Sequence, residues 1–236
     1  MNEVAQLAFD LGHRPALGRA DFLVAPCNQA ALAFLDRWPH WPGPALAVHG
    51  PAGAGKTHLC QVWRAASGAI EIDPGALAHT PPPELLAGAR ACVLDDADRA
   101  LAAGPGHERG LLHLYNTVRE AGGHLLLSGQ TPPARWPGAL ADLRSRLRAA
   151  AAVSIDAPDD ATMEALLVKL FADRQVRIRA DVPRYLVARM ERSFGAARAV
   201  VDAVDRAALA ERREITVPLA REVLRAGPLD TCVDQD

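Results

Sequence analysis

Residues 45–58 read ALAVHGPAGAGKTH, and this stretch decides the fold of the chain. Its apolar run, residues 45–48, predicts a buried strand. Gly50, four further residues and then Gly55-Lys56-Thr57 have the spacing of a phosphate-binding P-loop. The glycines let the backbone turn tightly, so that successive N–H groups point at one phosphate chain. A helix over residues 57–66 would begin at the loop and direct the positive end of its dipole at the anion.

The P-loop pattern also predicts roles for individual side chains. Lys56 would reach the β- and γ-phosphates of a nucleotide, and the Thr57 hydroxyl would hold Mg²⁺. The alternative is a glycine-rich turn with a chance lysine, which the strand before the loop and the helix after it disfavour. The predicted nucleotide-binding residues of the loop are Gly50, Pro51, Gly53, Ala54, Gly55, Lys56, Thr57 and His58.

Length and composition limit the class of protein. The chain has 236 residues, 50% of them apolar, which is enough for one large domain or two small ones. Its net charge of -2 gives no bulk field that would collect nucleic acid, although a local basic face remains open. Cys27, Cys60, Cys92 and Cys232 lack paired metal-ligand spacing and predict reduced thiols. With no signal peptide and no membrane-spanning run visible, we expect a cytoplasmic protein.

An apolar strand with two carboxylates at its end follows further along the chain. Residues 91–96 read ACVLDD, which is the Walker B pattern expected of a P-loop protein. Asp95 would bind Mg²⁺ directly or through water, and Asp96 would face the attacking water. The alternative is that the two aspartates cap the following helix, since aspartate is a common N-cap residue.

The next strand, residues 125–128, carries polar residues at its tip. Either Ser128 or Gln130 could lie beside the γ-phosphate if this strand is central, and the alternative is a plain turn. Ahead of it, residues 104–106 (Gly-Pro-Gly) predict a turn or mobile loop before a helix over residues 109–121. Strands alternate with helices five times up to residue 157, which predicts an α/β fold with a parallel sheet.

From Asp159 onward the apolar residues follow a helical period. Met163, Leu166, Leu167 and Leu170 form one stripe behind that aspartate, and two further stripes follow. This part of the chain therefore predicts a small all-helical domain. We expect an N-terminal arm over residues 1–20, an α/β nucleotide-binding domain over 21–157, a helical lid domain over 158–226 and a flexible tail over 227–236.

The N-terminal arm contains a short peptide with alternating apolar side chains. Residues 6–11 read QLAFDL, with Leu7, Phe9 and Leu11 behind Gln6. An extended peptide of this kind can place alternate side chains in a partner's pocket. The alternative is an arm packed on its own domain. The pattern resembles the hexapeptide by which many bacterial proteins bind the replicative sliding clamp.

A P-loop core followed by a helical lid resembles an AAA+ ATPase module, which implies a five-stranded parallel sheet. More narrowly, the chain resembles the family of the bacterial replication initiator DnaA over nearly its whole length, and within it the truncated Hda type. The chain stops after the lid, the segment between its second and third strands is short, and its clamp-like hexapeptide is N-terminal, all as in Hda. The resemblance rests on residues 21–24, 50–59, 94–96, 114–116, 127–133, 143–147 and 215–218.

Residues 144–146, Arg-Ser-Arg, are among the more particular features of this family. The resemblance implies that Arg146 is an arginine finger that enters a neighbour's nucleotide site. A guanidinium there stabilises charge on the transferring phosphoryl group and increases the rate by about 10³–10⁵. The alternative is that Arg144 and Arg146 pair with phosphate or carboxylates within their own chain.

The chain departs from the family pattern at two positions. Family members usually carry an arginine early in the third lid helix that touches the nucleotide, whereas alignment puts Gly195 there. Arg198, nearly one helical turn later, could substitute. Asp96 stands where most AAA+ hydrolases have glutamate, although DnaA itself tolerates aspartate. Both departures suggest weak intrinsic hydrolysis.

The resemblance implies a negative regulator of replication initiation that binds adenine nucleotide, ADP favoured over ATP, with Mg²⁺. It would dock on the DNA polymerase sliding clamp through Gln6, Leu7, Phe9 and Leu11 and stimulate hydrolysis of DnaA-bound ATP. A homodimer is a further candidate assembly, and no sequence-specific DNA binding is expected. Two alternatives stay open: an autonomous AAA+ ATPase acting as a helicase or clamp loader accessory, and a passive DnaA-binding adaptor.

Overall fold

A computed structural model of the chain describes residues 22–226. The predicted clamp-binding residues Gln6, Leu7, Phe9 and Leu11 lie outside them. Between residues 22 and 226 no helix is both long and apolar enough to cross a membrane.

The α/β part contains α1 (Pro26–Leu35), β1 (Ala45–His49), α2 (Lys56–Ser67), β2 (Ile70–Glu71), α3 (Pro82–Leu86), β3 (Ala91–Leu94), α4 (Ala97–Ala102), α5 (Pro105–Glu120), β4 (His124–Gly129), α6 (Ala141–Ala149) and β5 (Ala151–Ser154). The helical part contains α7 (Asp160–Asp173), α8 (Asp181–Val187), α9 (Phe194–Glu211) and α10 (Val217–Ala226).

The five strands form one parallel sheet in the order β2-β3-β4-β1-β5, which confirms the predicted α/β fold. In this order β4 lies between the strand that precedes the P-loop and the strand that precedes the aspartate pair. Ala47 of β1 pairs with Leu127 of β4, and Leu127 pairs with Leu94 of β3. Because parallel strands present their carboxyl ends at one edge, the P-loop, the β4 tip and the aspartates meet there.

The central strands are apolar on both faces because helices cover the sheet on each side. One apolar cluster joins Ala47, Leu94 and Leu127 to α5 and α6. A second cluster joins Leu46, Val48 and Leu126 to α1 and α2. A strand that is buried on both faces has a continuous run of apolar residues in the sequence. The central strands could be predicted from such runs.

The predicted loop at residues 104–106 is wrong in part, because α5 begins at Pro105. Gly104 is the N-cap, with φ 131°, and Pro105 takes the first helical position, where its missing N–H costs no hydrogen bond. A Cβ on Gly106 would lie 3.2 Å from the Ala78 Cβ, so the helix start packs against the preceding 3₁₀ turn. The Gly-Pro-Gly sequence therefore starts a helix as well as ending a loop.

Helices α7 to α10 enclose a separate apolar core, which confirms the predicted helical lid. Met163, Leu167 and Phe171 of α7 are fully buried against Val201 and Val204 of α9. The Asp159 carboxylate accepts a hydrogen bond from the Thr162 N–H at 2.8 Å and caps α7, as its position predicted. The Ser193 hydroxyl caps α9 in the same way through the Ala196 N–H at 3.0 Å.

Candidate nucleotide site and the arginine of helix α6

The P-loop connects β1 to α2 and fits closely between the core and the lid. A Cβ at position 50 would lie 2.1 Å from the backbone oxygen of Ile155, so only glycine fits there. Gly53 has φ 71°, and a Cβ there would lie 2.3 Å from the Ser193 Cβ. The Phe194 N–H donates to the Gly53 carbonyl at 2.8 Å, so the start of α9 is bonded to the loop. The sequence pattern gave no sign of this lid contact.

The ammonium group of Lys56 lies inside the loop. The residue is only 7% exposed, and Nζ donates to the carbonyl oxygens of Gly50 and Pro51 at 2.9 Å each. A buried ammonium needs such acceptors because its loss of hydration is costly. The loop therefore holds a fixed positive charge at the position expected for the phosphate-binding lysine.

Side chains of α2 and β4 meet at the Asp95 carboxylate, which follows β3. The Thr57 hydroxyl donates to Asp95 Oδ2 at 2.7 Å. The Ser128 hydroxyl donates to the other oxygen of the same carboxylate, and the Asp96 N–H donates to Ser128 Oγ at 2.9 Å. A hydroxyl and a carboxylate oxygen at this spacing are the hard oxygen ligands that Mg²⁺ prefers, so the residues fit the ion.

Ser128 and Gln130 were both candidates for the polar group at the β4 tip. Ser128 is fully buried within the sheet and contacts the carboxylate cluster. Gln130 is exposed, and its backbone N–H donates to Asp98 Oδ2 at 2.7 Å. The structure therefore brings Ser128 to the cluster and shows a backbone role for Gln130.

Asp96 stands in the left-handed region, with φ 49° and ψ 45°. It occupies the N-cap position of α4, as the capping alternative required, but within the described chain its side chain makes no capping hydrogen bond. Burial, and then the charge of Asp95, raise the pKa of the Asp96 carboxyl. A strained backbone and a disfavoured charge together are typical of a functional position.

A cavity of about 250 Å³ lies between the core and the lid beside the P-loop. Its apolar walls include Phe22, Leu166, Leu170 and Phe194. This volume is slightly below the range of about 300–1,000 Å³ that is usual for small-molecule pockets. Its lining also includes charged side chains, among them Lys169 and Arg198.

Arg198 joins the lid to the P-loop helix at this cavity. Its Nη2 donates to Nδ1 of His58 at 2.8 Å, although the two residues are 140 positions apart. Burial lowers the pKa of Arg198, while the charge of Asp202 opposes that effect. A Cβ added at Gly195 would lie 4.0 Å from Ser193 Oγ, which is an ordinary van der Waals distance. Arg198 therefore lines the cavity, three residues after Gly195 on α9.

Arg146 lies on α6 and contacts one residue of that helix and one of α5. Its Nη2 is 3.0 Å from Asp142 Oδ2, and its guanidinium carbon lies 5.5 Å from the centre of the Tyr115 ring on α5. The side chain remains 20% exposed. The within-chain pairing that was the alternative to the finger is thus observed for Arg146. Arg144 and Arg148 of the same helix are exposed beside Ser145.

Comparison with known proteins assigns the lid to a family. Residues 159–224 match the family model described as "Hda, lid domain". These residues are the helices α7 to α10 up to the last turn, so the match covers the lid and not the α/β core.

Solved structures resemble the chain over both parts. Domain III of the replication initiation protein DnaA from Thermotoga maritima has a TM-score of 0.76 and 17% identity, covering 91% of this chain and 98% of that chain. AMPPCP-bound DnaA from Aquifex aeolicus has a TM-score of 0.68 and 18% identity, and the match covers 81% of this chain and 65% of that chain. The RuvB Holliday junction branch migration motor from Thermotoga maritima has a TM-score of 0.66 and 16% identity, and the match covers 89% of this chain and 71% of that chain.

At these identities the structural matches establish the fold and not the activity. Because the match to domain III of DnaA covers 91% of this chain, the shared fold extends over both the core and the lid. The lid match adds the narrower relationship. This chain therefore combines a lid that matches the Hda lid domain with a core whose fold resembles that of DnaA.

Proposed function

We propose that this chain binds adenine nucleotide, docks on the DNA polymerase sliding clamp and stimulates the hydrolysis of ATP bound to DnaA. The observation that supports the proposal best is an arginine, Arg146, on a DnaA-like core that carries an Hda lid. Its contacts are with Tyr115 and Asp142 rather than with its own P-loop. A partly exposed guanidinium that is bonded away from its own P-loop is suited to act on the nucleotide of a second module.

The nucleotide site supports binding more strongly than it supports turnover. Gly50, Gly53, Gly55 and Lys56 provide the phosphate cradle, and Arg198 would take the place of the arginine missing at Gly195. Thr57 and Asp95 would hold Mg²⁺, which neutralises phosphate charge when bound. We favour ADP as the resting nucleotide, and the AMPPCP-bound DnaA of the same fold supports an adenine nucleotide here.

The clamp-docking part of the proposal predicts a specific loss on substitution. Gln6→Ala should weaken binding of the full chain to the sliding clamp by about tenfold, since truncating one anchor residue of a small interface costs about 1–2 kcal/mol. The measurement is the dissociation constant of the full chain for purified clamp, obtained by surface plasmon resonance or calorimetric titration. Asn2→Ala, in the same arm but outside the hexapeptide, is the matched control and should bind normally. Equal affinities for wild type and Gln6→Ala would remove the clamp from the proposal.

A second candidate function is an autonomous ATPase, because the carboxylate cluster is complete within one chain. Asp96 lies beside Asp95 and next to Ser128, where it could orient a water for the chain's own nucleotide. Rapid hydrolysis by the purified chain alone, lost in Asp96→Asn, would favour this reading. Normal regulation of DnaA by a folded Lys56→Ala variant would instead favour a passive adaptor.

A further inference from the structure

Three arginines lie on α6, and within residues 22–226 only Arg146 is held by side chains on two sides. Arg144 and Arg148 are exposed. Arg146 rests over the Tyr115 ring and pairs with Asp142, one helical turn earlier. Leu143 and Leu147, which flank it on the helix, are buried against α5, so the backbone under the guanidinium is fixed by core packing.

The donors of the Arg146 guanidinium are engaged unequally. Its Nη2 is bonded to Asp142, whereas Nε is buried and has no hydrogen-bond partner among residues 22–226. The aromatic ring attracts the face of the guanidinium and makes no use of its N–H donors. Asp142 accepts from one of those donors, and that carboxylate is 58% exposed.

The two contacts therefore have different consequences for a triphosphate that approaches from a partner. Contact with the ring is compatible with phosphate binding, because the face and the edges of a guanidinium serve different partners. The Asp142 carboxylate competes with phosphate, because both require the same N–H donors. A triphosphate carries more charge than one exposed carboxylate, so the arginine can change partners.

We propose that Tyr115 and Asp142 are positioning residues for Arg146: the Tyr115 ring directs the guanidinium outward, and Asp142 restrains it until a partner's triphosphate displaces the carboxylate. This inference rests on the proposed function, in which Arg146 acts on DnaA-bound ATP. It adds that the efficiency of the finger is set by two side chains that touch neither nucleotide.

The test measures hydrolysis of ATP bound to DnaA at increasing concentrations of this protein, with the sliding clamp loaded on DNA. Tyr115→Leu should lower the maximal rate by about 3- to 10-fold at an unchanged half-saturating concentration, the effect expected from losing a cation–π contact. Tyr115→Phe keeps the ring and should stay within about twofold of wild type. Asp142→Asn should raise the maximal rate by about twofold at low salt, and high salt should remove the gain.

Several outcomes would overturn the inference while leaving the proposed function intact. These are a wild-type maximal rate for Tyr115→Leu, equal losses for Tyr115→Leu and Tyr115→Phe, or an unchanged or lower rate for Asp142→Asn. Thermal unfolding and ADP binding of each variant control for the fold. Because Tyr115 is buried, its leucine variant could fail to fold, and the exposed Asp142→Asn then decides alone. Wild-type stimulation by Arg146→Ala would contradict the proposed function itself.

Discussion

Substitution of Arg146 by alanine is expected to abolish the stimulation of DnaA-bound ATP hydrolysis, with a fall of about 10³-fold or more. The guanidinium would stabilise negative charge on the transferring phosphoryl group, and no other side chain on α6 is held in the same way. The measurement is single-turnover hydrolysis of labelled ATP on DnaA. The chain should still fold, because the Asp142 ion pair and the Tyr115 contact together contribute at most about 2 kcal/mol.

Two further variants make the Arg146 result specific. Arg148→Ala removes an exposed arginine of the same helix and should leave stimulation close to wild type. Arg146→Lys keeps the charge but loses the planar fork, so it should recover only a small part of the activity. Full stimulation by Arg146→Ala would show that this residue is not the finger. A loss in Arg148→Ala equal to that in Arg146→Ala would point to the basic face as a whole.

The second large effect is expected at the P-loop, where Lys56→Ala should weaken ADP binding by about 100-fold. The ammonium would make charge-assisted hydrogen bonds to phosphate, each about 1.5–3 kcal/mol, and about 1.4 kcal/mol corresponds to tenfold in affinity. The measurement is calorimetric titration with ADP and Mg²⁺. Its structural basis is the ammonium held inside the loop by Gly50 and Pro51.

The control for Lys56→Ala is Arg64→Ala on the same helix. Arg64 pairs with Glu71 at the surface and should leave ADP affinity unchanged. Thermal unfolding without nucleotide checks that the lysine variant is folded. Unchanged ADP affinity in a folded Lys56→Ala variant would mean that the loop is not the nucleotide site.

The sheet could be predicted from the sequence because its information is local. Residues 45–48 and 91–94 are continuous apolar runs, the pattern of a parallel strand covered on both faces. Because the strands are parallel, their carboxyl ends lie at one edge of the sheet. The aspartates after β3 and the glycines after β1 therefore lie at that edge. The same holds for the lid, where the helical period and the cap at Asp159 are visible in the chain.

Contacts between distant segments could not be predicted in this way. The bond between Arg198 and His58 depends on how the lid lies on the core, and no local pattern encodes that angle. The choice between Ser128 and Gln130 depends on where β4 ends. β4 extends to Gly129, so Ser128 stays within the sheet beside Asp95, and Gln130 lies beyond it in the turn.

The environment of Arg146 was predictable only in part. Asp142 lies four residues before it on the same helix, a spacing at which opposite charges meet, and the sequence shows this directly. The Tyr115 ring comes from another helix and required the structure. The sequence thus singled out Arg146, and the structure showed how its side chain is held.

The most direct test of the account is single-turnover hydrolysis of labelled ATP bound to DnaA, with the wild-type chain added in the presence of the sliding clamp on DNA. The account predicts that hydrolysis accelerates by about 10³-fold or more at saturation, that removal of the clamp lowers the effect, and that this chain alone hydrolyses ATP slowly. An unchanged rate at saturating protein, with clamp and DNA present, would contradict it.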